Sequence, residues 1–105
     1  PIIIANNWPD TIITFILIDN KKMSLEKKYE YYQDYTSDDH SGLQHFISKN
    51  QQKGDSQLVG TYIVSNQYLN GFLVYFNKKE SLNYREIDKL RFNSQVFGTV
   101  VEVKK

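Results

Sequence analysis

Two groups of side chains in this sequence have types and spacings that suggest chemistry. Asp38, Asp39, His40 and His45 combine carboxylate and imidazole ligands within one polar stretch, the donor set a divalent cation uses, although the spacing matches no established metal motif and the bland reading is a solvated loop. We therefore expect no metal and no cofactor. Pro1, followed by Ile2, Ile3 and Ile4, has the form of an N-terminal secondary amine at the head of an apolar strand, which could act as a general base if the terminus were native. Ser, His and Asp occur in no order that suggests a nucleophilic triad, and Gly54, Gly60, Gly71 and Gly98 form no phosphate-cradling loop. Cysteine is absent, which excludes disulfides, thiolate metal sites and a cysteine nucleophile.

A third group is aromatic. Tyr29, Tyr31, Tyr32 and Tyr35 lie in a run, 23–35, that alternates apolar or aromatic residues with charged ones. Alternation of this kind places Tyr29, Tyr31 and Tyr35 on one face of a strand, for packing, and leaves Tyr32 as the exposed member, able to offer flat contact area to a sugar, peptide or protein.

The elements that must position these residues follow from pattern. The β-branched run 11–18 is too short for a typical helix and reads as a strand, joined through a turn at Asn20-Lys21 to the Tyr-rich strand in a first hairpin, with Ile18 opposite Met23, Ile16 opposite Leu25 and Ile12 opposite Tyr29. After a polar loop, Leu43, Phe46 and Ile47 recur at helical spacing and predict a short helix over 43–48. Residues 48–56 are polar and predict a loop. Between 58 and 76 two turns compete; one at Ser65-Asn66-Gln67 gives the better apolar pairing of two strands and leaves Gly71 inside the second as a bulge. Residues 84–92 suit helix or strand, and Asn93-Ser94 before the run 96–103 predicts a closing hairpin with a secure last strand.

These elements predict one domain over 1–105 that is all-β or strand-dominated: an antiparallel, strongly curled sheet or small barrel with one short helix, the alternative being an α+β sandwich. Thirteen basic and twelve acidic residues give a formal charge of +1 with the signs interspersed, which argues against a nucleic-acid surface. No run approaches the ~20 apolar residues of a membrane span, so no transmembrane segment is expected in this chain. The chain opens on Pro1 rather than Met. An extracytoplasmic or cell-surface domain behind a signal peptide or upstream membrane anchor is one expectation from that start; a cytoplasmic protein processed before Pro1 is the other.

Two resemblances add to this reading. The segment Gly60-Thr61-Tyr62-Ile63-Val64 with Leu69, then Tyr84, Ile87 and Leu90 before a terminal apolar strand, resembles small bacterial lipocalin-like (calycin-type) β-barrel domains. That family has a Gly-x-Trp near its N-terminus; here the stretch is Asn6-Asn7-Trp8, without the Gly, while Arg85 and Arg91 are available as the late cation. The resemblance implies a closed or nearly closed barrel, hollow or filled with side chains. A preformed cavity in it would be apolar and lined from Ile12, Ile16, Tyr29, Tyr62 and Val74. Pro1 with its apolar strand is similar to the start of the tautomerase superfamily, a likeness of about six residues. We accordingly expect a non-catalytic binding or interaction module, with Tyr29, Tyr32, Tyr62 and Val74 as candidate ligand-binding residues and a small apolar ligand or a protein as partner. An N-terminal-proline enzyme and a proteinaceous inhibitor or immunity protein are the alternatives.

Overall fold

The computed structural model describes residues 1–6, 8–16, 29–32 and 42–105. They form an α+β fold built on a five-stranded mixed sheet of order β2-β1-β3-β5-β4. The strands are β1 (Ile2–Ile4), β2 (Glu30–Tyr32), β3 (Gly60–Ser65), β4 (Asn83–Phe92) and β5 (Gln95–Lys104). Strand β1 is parallel to both β2 and β3, whereas β5 is antiparallel to its neighbours β3 and β4. The helices are α1 (Asp10–Thr14), α2 (Gly42–Asn50) and α3 (Asn66–Asn77), with a 3-10 turn at Asp55–Leu58. None of these helices is long and apolar enough to cross a membrane.

Among the described residues the sheet is open, its outermost strands β2 and β4 not meeting, and it is mixed and flanked by helices, so the barrel, the all-β class and the wholly antiparallel sheet are corrected in favour of the α+β alternative. Topology supplies the reason. From β1 the chain moves one way along the sheet to β2, then the other way past β1 to β3 and on to β4. Right-handed crossovers in opposite directions place their helices on opposite faces. Helices α2 and α3 pack with Ile4, Tyr32, Tyr62, Val64, Val101 and Val103 on one face. On the other, Ile13 and Ile16, from α1 and just beyond it, join Ile3, Ala5, Ile63, Leu90 and Val100.

Two expected strands are helices instead. Pro9 fixes an extended residue ahead of α1, its carbonyl accepts from the amides of Ile12 and Ile13 at 3.0 and 3.3 Å, and Ile12, Ile13 and Ile16 then line one helical face. Tertiary burial overrides the β-branched propensity of this run. In 66–77 the spacing Tyr68, Phe72, Phe76 fits a helix as well as alternation fits a strand, and the helical reading buries all three rings against β3 and β5. Gly71 is accordingly no bulge: it lies in α3 where a Cβ would come within 2.7 Å of Leu43 Cδ2, so its small size permits the close approach of α3 to α2.

Other expectations are met. Helix α2 contains the predicted 43–48, and β4 and β5 form the closing hairpin through Asn93 and Ser94, whose φ values of 51° and 67° are those of a type I′ turn. The first hairpin is corrected where it is described: 11–16 is helical, so Ile12 does not pair with Tyr29, while the turn at Asn20-Lys21, Ile18, Met23 and Leu25 lie outside the described residues.

Candidate functional site

The chain's change of direction between β1 and β3 creates the position at which open sheets with parallel strands hold ligands: the crevice beyond the carboxyl ends of two adjacent strands whose connections leave to opposite sides. The sequence prepares the two strands alike. Ile2-Ile3-Ile4-Ala5-Asn6 and Tyr62-Ile63-Val64-Ser65-Asn66 each run through three large apolar residues, then a small residue, then Asn. Ile4 pairs with Val64, so the small residues and the asparagines that follow lie side by side at one edge of the sheet.

Three features define this edge. Asn6 Oδ1 and Ser65 Oγ are buried and have no hydrogen-bond partner. Ser65 is only 5 % exposed and stands at the N-cap of α3, yet its hydroxyl caps no amide of the helix. Asn66, by contrast, is anchored, donating from Nδ2 to the Val96 carbonyl at 2.8 Å. Over the α1 side lies Trp8, whose Cη2 would stand 3.2 Å from a Cβ built on Gly98, the β5 partner of Ser65. The indole meets Phe97 edge-on at 5.3 Å between centroids. Glycine at 98 thus leaves the space that the indole fills.

The third wall is the start of α2. A Cβ on Gly42 would fall 2.3 Å from the Tyr32 carbonyl oxygen and 2.7 Å from that of Ala5, so only glycine lets α2 begin directly against the ends of β1 and β2. The hydroxyls of Tyr68 and Tyr75 also lack partners, but these residues belong to the layer between α2, α3 and the sheet.

The residues singled out from sequence are placed elsewhere. Tyr62 is fully buried at the centre of the α2/α3 layer, its phenol donating to the Leu58 carbonyl at 2.6 Å; burial, more than neighbouring Tyr75, Tyr32 and Glu30, pushes its ionisation well above the ordinary 10.0. Tyr32 is 4 % exposed, which corrects its expected exposure: β2 runs parallel beside β1 and turns this ring toward α2. Its hydroxyl donates to Glu30 Oε2 at 2.7 Å and accepts from Asn50 Nδ2 at 3.3 Å, and burial is the main cause of its raised pKa. Tyr29 and Val74, 41 % and 47 % exposed, are surface residues, so the four candidates do not converge. Ile12 and Ile16 lie on the opposite face from Tyr62, and the proposed cavity lining is divided by the sheet itself.

Pro1 sits at the amino end of β1, its carbonyl accepting from the Glu30 amide at 3.1 Å, a strand's length from the Asn6 and Ser65 edge. His45 is exposed on α2, edge-on to Tyr32 at 6.0 Å, while Asp38, Asp39, His40 and Tyr35 lie outside the described residues. Among the described residues no three His, Cys, Asp or Glu side chains are grouped to hold a metal ion. The signal that points to Asn6 and Ser65 is the repeated apolar-small-Asn pattern, which gains meaning only once the two strands are known to be adjacent and parallel. No protein-family model, curated protein or solved structure matches this chain.

Proposed function

We propose that the protein is a non-catalytic binding module whose ligand site is the crevice at the carboxyl ends of β1 and β3. The observation that supports this reading is the pair of buried, unpartnered polar atoms, Asn6 Oδ1 and Ser65 Oγ, at the change of winding. A buried polar group without a partner costs ~1–3 kcal/mol, a cost that a bound polar molecule removes by donating to Asn6 and exchanging hydrogen bonds with Ser65. The ligand class is therefore a small polar molecule, or a polar side chain of a partner protein, with one flat or apolar side toward Trp8. An apolar ligand is the expectation for a barrel interior, whereas the sheet of the described residues is open and its unpartnered buried atoms are polar.

Thermal unfolding of wild type and Ser65→Ala in the presence of phosphate, acetate, glucose or glycinamide tests the proposal. At least one probe should raise the wild-type midpoint in a saturable manner and leave that of Ser65→Ala unmoved. If all four act equally on both proteins, ordered water alone satisfies the two atoms and the binding site is refuted.

A further inference from the structure

Among the described residues, strand β4 closes one side of the sheet with ten residues, two of which, Tyr84 and Ile87, are exposed large apolar side chains. Natural edges of this length are blunted by charges and bulges, and β4 has both. Its pairing with β5 runs Glu86 to Val101 and then Asp88 to Val100, so Ile87 is an extra residue. The consequence is a change of alternation. Before the bulge Tyr84 and Glu86 face the α2/α3 side; after it Lys89 and Arg91 face that same side, as the 3.7 Å Glu86–Lys89 ion pair and the 3.0 Å bond from Lys89 Nζ to Thr99 confirm. Asp88 and Leu90 share the opposite side with Arg85.

We propose that β4 is a self-recognition edge that pairs antiparallel with β4 of a second copy about a twofold axis between Ile87 and Asp88. In that register Glu86 opposes Lys89 of the other copy, Tyr84 opposes Arg91, Arg85 opposes Leu90 and Asn83 opposes Phe92. Each pair lies on one face only because the bulge has shifted alternation by one. No like charges meet, and each Arg91 lies against a tyrosine ring. The registers one residue to either side, centred on Ile87 or on Asp88, set residues of opposite faces against each other across the bulge, Arg85 against Lys89 or Arg91 and Glu86 against Asp88 or Leu90, so their side chains form no cross-strand pairs. The shallow depression lined by Glu86, Ile87, Asp88, Lys89 and Arg91 lies at the proposed axis, where the two Ile87 side chains, each 43 % exposed in the single chain, would be covered. The occupant is thus a second copy, selected by charge complementarity.

Light scattering on a sizing column at high micromolar concentration tests this directly. Wild type should run at twice the mass of one chain. E86K and K89E should each run as monomers, since each sets like charges opposite at both symmetry-related positions, and an equimolar mixture of the two should recover the double mass. The E86K/K89E double variant should dimerise again, with circular dichroism checking that every variant is folded. A monomeric wild type, or single variants that dimerise as well as wild type, would overturn the proposal.

Discussion

The two faces of the sheet are built differently. On the α2/α3 face, Phe46, Tyr62, Phe72 and Phe76 are fully buried and in mutual ring contact, the Phe72–Phe76 centroids 4.8 Å apart. Two helices of nine and twelve residues cover this layer. Among the described residues, the α1 face has a five-residue helix, and its aromatics Trp8, Phe15, Phe92 and Phe97 form a chain of edge contacts while remaining partly exposed. Lower on that face Arg85, Glu102 and Lys104 replace apolar residues with exposed ion pairs. Among the described residues the first layer therefore buries the larger set of aromatic rings, and the second carries the half-open aromatics and the polar edge beneath Trp8.

Truncation should break this contrast most clearly. Phe72→Ala removes a buried ring and should cost ~3–5 kcal/mol in denaturant titrations, whereas Phe97→Ala, half exposed at the outset, should cost only ~1–2 kcal/mol. Equal losses would mean the faces are energetically alike. Next in size is Gly42→Ala, which drives a methyl into two carbonyl oxygens at the junction of the α2/α3 layer with the carboxyl edge; we expect a loss at or above the top of the ~1–3 kcal/mol usual for overpacking, read as a lowered unfolding midpoint.

A subtler probe is alkaline pH. The Tyr62 phenol ionises in the unfolded chain near 10.0 but is raised by burial in the fold, so above that pH the unfolded state binds fewer protons and stability falls as pH rises. Its contribution is complete below pH 10.0. Tyr62→Phe should flatten this alkaline slope while losing ~1 kcal/mol at neutral pH with the hydrogen bond to Leu58, and an unchanged slope would place the titrating group elsewhere.

Local signals made part of this architecture legible. Asn93-Ser94 between apolar runs specifies its own hairpin, and Leu43, Phe46 and Ile47 specify α2, because both are decided within a few residues. Runs 11–14 and 66–77 satisfy two periodicities at once, and the choice rests on which face the rest of the fold buries. The parallel pairing of β1 with β2 and β3 joins residues about thirty to sixty apart, beyond any local pattern. The candidate site is hidden for the same reason: Asn6 and Ser65 are ordinary residues in sequence and come to the same end of the sheet only through the crossover. The Tyr-rich run stands out by composition, but β2 uses Tyr32 for core packing.

Trp8 is the only tryptophan, and its indole lies beside the carboxyl edge of β1 and β3, so its fluorescence reports on that edge alone. The most direct test of the binding site is a titration of Trp8 emission with whichever of phosphate, acetate, glucose or glycinamide shifts thermal stability most, run in parallel on wild type and Ser65→Ala. The account predicts a saturable change in wild type that Ser65→Ala loses without any change in its far-ultraviolet circular dichroism. Emission that does not respond, or that responds identically in both proteins, would contradict it.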